Sequence, residues 1–203
     1  MNNLKDLMES NLILEDGTNW SIGQETKWFI YESDFTSSIE TGIGYSTFLF
    51  AAKSKKHIVC FPVANVEQNV KNYAKKINLS IDNISFVVGK SQDTLPSIKE
   101  KVDFALIDGE HMFPCPMIDF YYINVNLQVG GILLIDDMQI PSVRLLYDFL
   151  IVSKDWKLKD ILDDGRTGVF QKIKHDKWEW WGSQEFNIKL HDPLQRPKKI
   201  KFY

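Results

Sequence analysis

The chain has 203 residues, which is enough for one sizeable hydrophobic core and too few for two large domains. Hydrophobic residues make up 44% of it and charged residues 25%, and both are ordinary values for a globular protein. The net charge of -3 argues against a general affinity for nucleic acid.

Cysteine usage and the chain ends add further exclusions. Two cysteines do not make a disulfide framework, and Cys60 lies within an apolar run. The first 16 residues lack the basic-then-apolar order of a signal peptide, and no apolar stretch approaches the roughly 20 residues that span a bilayer. We therefore expect a cytoplasmic protein without a membrane segment.

Two helical patterns, at residues 4–14 and 24–33, open the chain before any strand-like run. Short apolar runs then predict strands at residues 36–40, 57–61, 84–88, 103–107 and 131–135. Helical periodicity predicts helices at residues 46–53, about 66–77, about 117–127 and 142–152. Residues 156–161 and 168–173 are predicted to form a closing pair of strands.

Near-continuous apolar strands that alternate with helices indicate a parallel sheet buried on both faces. Right-handed crossovers place the helices on alternate sides, so residues 36–173 are predicted to form a doubly wound, mostly parallel α/β sheet of about seven strands. A helical segment, residues 1–35, precedes it. The tail, residues 174–203, is rich in tryptophan and proline, and we expect it to pack on the domain or on a second subunit.

A glycine turn, Glu-Thr-Gly-Ile-Gly-Tyr-Ser at residues 40–46, follows the first predicted strand. Doubly wound folds bind ligands beyond the carboxyl ends of their strands, where the strand order reverses, and this point usually lies just after the first strand. Glycine lets the backbone turn tightly and approach a ligand, although a sheet also needs such turns for geometry alone. Thr47 replaces the third glycine of the dinucleotide fingerprint, which argues against a nicotinamide enzyme.

Three later segments favour a ligand-binding role for the glycine turn over a purely structural one. They are Gly-Lys-Ser-Gln-Asp-Thr-Leu-Pro at 89–96, Leu-Ile-Asp-Gly-Glu-His at 106–111 and Gly-Gly-Ile-Leu-Leu-Ile-Asp-Asp at 130–137. Taken with the glycine turn, in this order, they resemble the class I S-adenosylmethionine-dependent methyltransferases. The likeness is greatest to the subgroup whose fourth strand ends in an Ile-Asp-Gly-Asp-His-like sequence, and it covers about residues 37–150. It implies a Rossmann-like methyltransferase domain with S-adenosylmethionine as cofactor.

The resemblance also implies roles for particular residues. Glu40, Gly42 and Gly44, together with Ser46, would bind the methionine part of the cofactor, Ser91 and Gln92 would lie against the adenine, and Asp108 would lie beside the methionine or the acceptor. From the residues alone, Ser91 also fits the N-cap of a helix.

One departure concerns the ribose, because the family normally ends its second strand in an acid. Here Phe61 or Pro62 takes that place, and Asn65 and Glu67 are the nearest polar substitutes.

The acids after the fourth and fifth strands predict a metal site. Asp108 and Asp136 end strands that we expect to be neighbours about 4.8 Å apart, and Asp137 can add a third oxygen. Three hard oxygens suit Mg²⁺, and the layout resembles the metal-dependent catechol-type O-methyltransferases, with Asp137 in place of their Asn. The alternative is that Asp137 caps the next helix while Asp136 bonds a loop.

His111, in a loop at the strand ends, is the candidate general base beside Asp108. The leading hypothesis is a methyltransferase that acts on an oxygen of a small molecule, and assistance by a metal is an open option within it. A second hypothesis is a non-catalytic or degenerate member of the fold that serves in binding or assembly, and a third is another nucleotide-dependent enzyme.

Overall fold

The computed structural model of the chain describes Met8, residues 21–175 and residues 184–189. Their centre is a seven-stranded sheet. Its strands are β1 Ser37–Thr41, β2 Lys56–Phe61, β3 Ile84–Val88, β4 Val102–Ile107, β5 Leu127–Ile135, β6 Trp156–Leu162 and β7 Thr167–Lys172.

Helices cover both faces of the sheet. They are α1 Gln24–Glu32, α2 Tyr45–Lys53, α3 Ala64–Lys76, α4 Ser91–Thr94, α5 Cys115–Asn126, α6 Pro141–Val152 and α7 Glu185–Lys189. The central strands are buried almost throughout, so their side chains alternate between two cores, one beneath α1, α2 and α3 and the other beneath α5 and α6. None of the helices among these residues is long and apolar enough to cross a membrane.

The strand order is β3-β2-β1-β4-β5-β7-β6. The first five strands are parallel, and β7 runs antiparallel between β5 and β6. The chain winds outward from β1 to β3 and then returns to build the other half from β4, so the order reverses between β1 and β4. This confirms the predicted doubly wound, mostly parallel sheet of seven strands.

The boundaries show what local pattern misses. β5 begins at Leu127, four residues before its predicted start. The prediction missed these residues because Gln128 and Gly130 interrupt the apolar run, and residues 128–130 are exposed. The predicted helix at residues 4–14 lies outside the described residues apart from Met8, which is helical and fully buried.

The two ends of the described chain pack on the sheet and its helices. Phe29 of α1 contacts Phe104 of β4, with ring centroids 6.4 Å apart. Phe186 of α7 packs edge-on against Phe149 of α6. The tryptophans of the tail lie outside the described residues, and the predicted second subunit and the domain boundaries stay predictions.

Candidate active site

The turn after β1 meets the end of β4 at the point where the strand order reverses. Gly42 has φ +86°, and a Cβ built there would lie 2.1 Å from the carbonyl oxygen of Asp108. Its N–H donates to the carbonyl of Cys60, 2.9 Å away. Only glycine fits this position, because any side chain would push apart the two loops that line the cleft.

Glu40 organises this turn from inside the protein. It is fully buried and accepts hydrogen bonds from Ser46 Oγ at 2.6 Å, Thr47 Oγ1 at 2.5 Å and His57 Nε2 at 3.1 Å. The Gly44 N–H donates to Thr47 Oγ1, so both ends of the turn are tied to this carboxylate. Its predicted contact with the methionine part of the cofactor stays a prediction, as do those of Gly44 and Ser46.

Ser91 and Gln92 begin the short helix α4 after β3. Ser91 is half-buried and Gln92 is exposed. The helix is preceded by Lys90 in extended conformation and has no side-chain cap, so the reading of Ser91 as N-cap is wrong. Both residues lie at the carboxyl ends of the strands, where contact with adenine is predicted.

The family normally has an acidic residue at the end of β2, and in this structure β2 ends without one. Phe61 ends the strand, is 1% exposed and packs edge-on against Phe86. Glu67, a predicted substitute, is paired with Lys71 on the same helix. Asn65 is exposed at the start of α3.

Asp108, His111 and Asp137 form a cluster that we call the acid–imidazole centre. One ligand atom from each lies within 4.8 Å of the others. His111 Nε2 is 3.4 Å from Asp137 Oδ2 and 3.8 Å from Asp108 Oδ1. That nitrogen is buried and has no hydrogen-bond partner among the described residues.

Charge is concentrated in the acid–imidazole centre. Burial raises the pKa of Asp108 to about 7, and the nearby carboxylates of Asp136 and Asp137 add to the shift. The pKa of His111 is raised by the adjacent Asp108 carboxylate, with Asp137 contributing. Near neutral pH the Asp108–His111 pair can therefore exchange a proton with a bound ligand.

Asp136 is not part of this cluster, although the sequence predicts it as a metal ligand. It is 1% exposed, and its two oxygens accept hydrogen bonds from Thr167 Oγ1 at 2.6 Å and Arg166 Nη2 at 2.7 Å. Its side chain faces the turn between β6 and β7, which agrees with the alternative expectation that Asp136 bonds a loop. Burial raises the pKa of Asp136, and the contacts with Thr167 and Arg166 oppose the shift.

Asp137 takes a left-handed backbone, with φ 58°, directly after β5. Helix α6 begins four residues later and has Ile140 at its N-cap, so the proposed helix-capping role of Asp137 is wrong. Its carboxylate instead lies 3.1 Å from Arg166 Nε and accepts a hydrogen bond from Gln139. This conformation directs it toward His111.

Asp119 on α5 is a buried acid that the sequence reasoning missed. It is fully buried, and neither oxygen has a hydrogen-bond donor in bonding geometry among the described residues. Burial raises its pKa to about 6, and the nearby hydroxyls of Thr41 and Ser91 moderate the shift. A Cβ at Gly109 would lie 3.0 Å from its Oδ2. Asp119 therefore lies beneath three loops that line the cleft.

Arg166 was also missed, because it follows a turn that carries no sequence signal for the site. A signal for Asp119 existed, since it is the only charged residue in the otherwise apolar and polar-neutral helix Cys115–Asn126.

Comparison with known proteins decides the family. Residues 39–138, which run from β1 to just past β5, match the family described as "Methyltransferase domain". The chain belongs to the class I S-adenosylmethionine-dependent methyltransferases. It is therefore an enzyme, and the predicted family is confirmed, while the subgroup is not. A comparison of the sequence with curated proteins finds no significant match.

Solved structures share the fold of this methyltransferase. An O-methyltransferase from Bacillus cereus in complex with S-adenosylhomocysteine is 14% identical, with a TM-score of 0.66 over 84% of this chain and 90% of that one. The O-methyltransferase TomG from Streptomyces achromogenes, in complex with S-adenosylmethionine, is 12% identical, with a TM-score of 0.65 over 78% and 84%. An rRNA methylase from Streptococcus thermophilus is 15% identical, with a TM-score of 0.57 over 74% and 96%. At these identities the likeness shows the fold alone.

The residues present fit S-adenosylmethionine at the cleft. The close approach of Gly42 to Asp108 leaves backbone rather than side chain at the reversal point, where ligands of this fold bind. Ser91 at the start of α4 and Gly109 in the loop after β4 both lie close to the Asp119 carboxylate, so these two segments meet beside the reversal point. The end of β2 offers the ribose no carboxylate, because Phe61 is the last residue of that strand.

The acid–imidazole centre also fits a divalent cation, but its donor atoms favour a different metal ion from the Mg²⁺ predicted from the sequence. Its donor set is two carboxylates and one imidazole rather than three carboxylates. Imidazole suits transition metals better than Mg²⁺, which prefers oxygen. The centre therefore fits Mn²⁺ or a similar ion better than the predicted Mg²⁺.

Proposed function

We propose that this methyltransferase methylates an oxygen of a small-molecule acceptor at the acid–imidazole centre. The observation that carries the proposal is His111 Nε2, a buried nitrogen that makes no hydrogen bond among the described residues and lies 3.4 Å from Asp137 Oδ2 and 3.8 Å from Asp108 Oδ1. An imidazole nitrogen in this position is suited to accept a proton from a bound hydroxyl group.

The proposed reaction needs only the acceptor and S-adenosylmethionine as reactants. The acceptor oxygen forms a bond to the methyl carbon as the bond from that carbon to the donor sulfur breaks, which leaves S-adenosylhomocysteine. The acceptor proton goes to His111 Nε2, and the carboxylates of Asp108 and Asp137 stabilise the resulting imidazolium. Ser142 Oγ donates to the His111 carbonyl and so ties the loop to α6.

Assistance by a divalent cation is the second part of the proposal. When bound, such an ion lowers the pKa of an acceptor hydroxyl and orients it. Asp108, His111 and Asp137 would hold it. A His111 that binds the ion cannot take the proton at the same time, so the two roles of this residue can be tested against each other.

The rim of the centre supports a small acceptor with an apolar part. Met112 and Phe113 directly follow His111 and are 67% and 64% exposed. Small-molecule sites are lined mainly by apolar side chains around a few polar groups, and Met112 and Phe113 could supply such a lining. The net charge of -3 and the three acids near the cleft disfavour a polyanion such as RNA.

Calorimetry tests the cofactor and the cation separately. We expect S-adenosylhomocysteine to bind the wild-type protein and its Kd to stay within about twofold in His111→Gln, because His111 lies on the acceptor side. Mn²⁺ titration followed by electron paramagnetic resonance should show one site that is lost in His111→Gln and retained in His175→Gln, a change at an exposed histidine elsewhere.

Turnover with and without added Mn²⁺ then distinguishes the roles of His111, because the wild type turns over without the ion if His111 is the base and requires the ion if His111 is its ligand. Release of S-adenosylhomocysteine, measured over a panel of small phenols and alcohols, should fall about 10²–10⁴-fold in His111→Gln if it is the base. The absence of S-adenosylhomocysteine binding at millimolar concentration would contradict the cofactor assignment. Full turnover in His111→Gln would contradict the proposed centre.

A further inference from the structure

The turn between β6 and β7 joins the N-terminal helix α1 to the acid–imidazole centre. On its first side, Asp163 Oδ1 accepts the Glu25 N–H at 2.9 Å, and Oδ2 accepts the Thr26 N–H at 3.0 Å and its hydroxyl at 2.6 Å. The Asp163 N–H donates back to the Glu25 carboxylate. These bonds reach across 137 and 138 residues of sequence.

Asp163 supplies the cap that α1 lacks. The N-cap residue of this helix is Gly23, which has no side chain to bond the first free N–H groups. A Cβ at Gly23 would lie 2.0 Å from Asp163 Cγ, so the glycine leaves room for the distant carboxylate. The start of the helix is therefore built from two parts of the chain.

The second side of the turn holds the acids after β5. Arg166, three residues beyond Asp163, places its Nη2 2.7 Å from Asp136 Oδ2 and its Nε 3.1 Å from Asp137 Oδ1. Its carbonyl accepts the Met138 N–H at 2.9 Å. Backbone and side chain of Arg166 thus both fix the segment in which Asp137 faces His111.

The turn itself depends on both sets of contacts. Asp163 and Asp164 have φ 52° and 54°, and Gly165 has φ 92°. Side chains disfavour this left-handed region, so the conformation persists where the surroundings impose it. Loss of the contacts at one end is expected to release the other end.

We propose that Asp163 and Arg166 are positioning residues that couple the docking of α1 to the placement of Asp137 beside His111. In this view α1 belongs to the machinery of the site, although none of its residues lies in the cleft motifs. The coupling stands on contacts within the protein, and its consequence for the acceptor rests on the proposed function.

Hydrogen exchange of the protein without ligands, followed by nuclear magnetic resonance, tests the coupling. Asp163→Gly removes the carboxylate without adding backbone strain, because the residue has φ 52°. Exchange should quicken tenfold or more at the Thr26 amide and also at the Met138 amide, which lies on the far side of the turn. Thr26→Val, which removes one of the bonds, should show the same pattern more weakly and serves if Asp163→Gly does not fold.

Asp103 provides a matched control. Its carboxylate accepts the N–H groups of Thr36 at 3.0 Å and Ser37 at 2.8 Å, so it also ties a distant segment, but at the amino end of β1. Asp103→Ala should leave Met138 exchange unchanged. Faster exchange at Met138 in both variants would show a general loss of stability and overturn the coupling, as would an Asp163→Gly effect confined to α1.

Coupling free energy is reciprocal, so the reverse experiment must agree. Arg166→Met should quicken exchange at the Thr26 amide, whereas Arg144→Met, a change at the surface of α6, should not. An unchanged Thr26 amide in Arg166→Met would overturn the proposal. Separately, Asp163→Gly should weaken Mn²⁺ binding about tenfold and leave S-adenosylhomocysteine binding within twofold. Because the exchange experiment contains no metal, failure of the cation proposal would leave the test of coupling intact.

Discussion

Glu40 illustrates how much a single buried carboxylate can determine in this protein. Its oxygens accept two hydroxyl donors from the start of α2 and one imidazole N–H from β2, and His57 in turn contacts Ser38 Oγ at 2.8 Å. The imidazole also stacks on Phe50, with centroids 4.9 Å apart. One acid thus connects β1, β2 and the glycine turn in a buried region, where loss of a hydrogen-bond partner is costly.

Removal of the Glu40 charge should therefore weaken the fold and the turn together. Glu40→Gln keeps the shape and is expected to lower the free energy of unfolding by about 1.5–3 kcal/mol, the range for hydrogen bonds to a charged group. Urea unfolding measures the loss, and calorimetry should show weaker S-adenosylhomocysteine binding.

Glu100 is the control for this change, because it pairs with Lys56 at the surface, where the two side chains are 48% and 50% exposed. Glu100→Gln should change stability little. Equal effects of the two substitutions would contradict a special role for the buried network.

Some residues of the site could be predicted from the sequence, and others could not. Asp108, Asp137 and His111 were predicted because they follow apolar runs, and such residues collect at one edge of a parallel sheet. The contacts of Asp136 could not be foreseen, since they depend on Arg166, at the end of the turn before β7, and on Thr167, the first residue of that antiparallel strand. Side-chain direction after a strand depends on local φ, as at Asp137, and apolar periodicity carries no information on it.

Among the elements, the contact between the glycine turn and the loop after β4 offers the sharpest test. Gly42 and Gly130 have nearly the same backbone, with φ +86° and +88°, but a Cβ at Gly130 would meet nothing within 4 Å. The two positions therefore separate backbone strain from close approach.

Alanine at either position should cost about 1–2 kcal/mol of stability through the left-handed backbone. Gly42→Ala should cost about 1–3 kcal/mol more, because the methyl group forces the Asp108 carbonyl away. It should also abolish S-adenosylhomocysteine binding, which Gly130→Ala should retain. Equal stability and binding in the two variants would show that the loops tolerate separation.

At the level of elements the sequence was informative because the central strands are buried on both faces and read as apolar runs. All seven strands and the four longer helices between them were predicted, with ends displaced by a few residues. Helix α4 was less visible, since its four residues are too few for a periodic pattern. The contact of α1 with the turn between β6 and β7 joins segments far apart in sequence, and no local pattern reports it.

For the whole molecule, the raised pKa values predict an unusual dependence of stability on pH. The pKa of Asp119 rises from 3.8 to about 6 and that of Asp108 to about 7, while the pKa of His111 is also raised. The folded state therefore binds more protons than the unfolded state across this range. The stabilisation is complete below the unfolded pKa values and is lost as pH rises through the folded ones. The free energy of unfolding should fall from pH 5 to pH 8.

Asp119→Asn isolates one part of this slope. The variant cannot ionise, so it should be more stable than the wild type at pH 8, by up to about 3 kcal/mol for a shift of about two pKa units. The difference should shrink toward pH 4. Asp34→Asn, at an exposed loop position, should leave the curve unchanged. A wild-type stability that rises from pH 5 to pH 8 would contradict the prediction.

Phe61 at the end of β2 has a consequence for how strongly the enzyme depends on the ribose hydroxyl groups of its methyl donor. A carboxylate in that place would reward both hydroxyl groups of the cofactor's ribose, whereas a buried phenyl ring cannot accept a hydrogen bond from either. We therefore expect donor analogues that lack one ribose hydroxyl to bind with little loss of affinity, and selectivity for the nucleoside to depend more on the base and the sulfonium side chain.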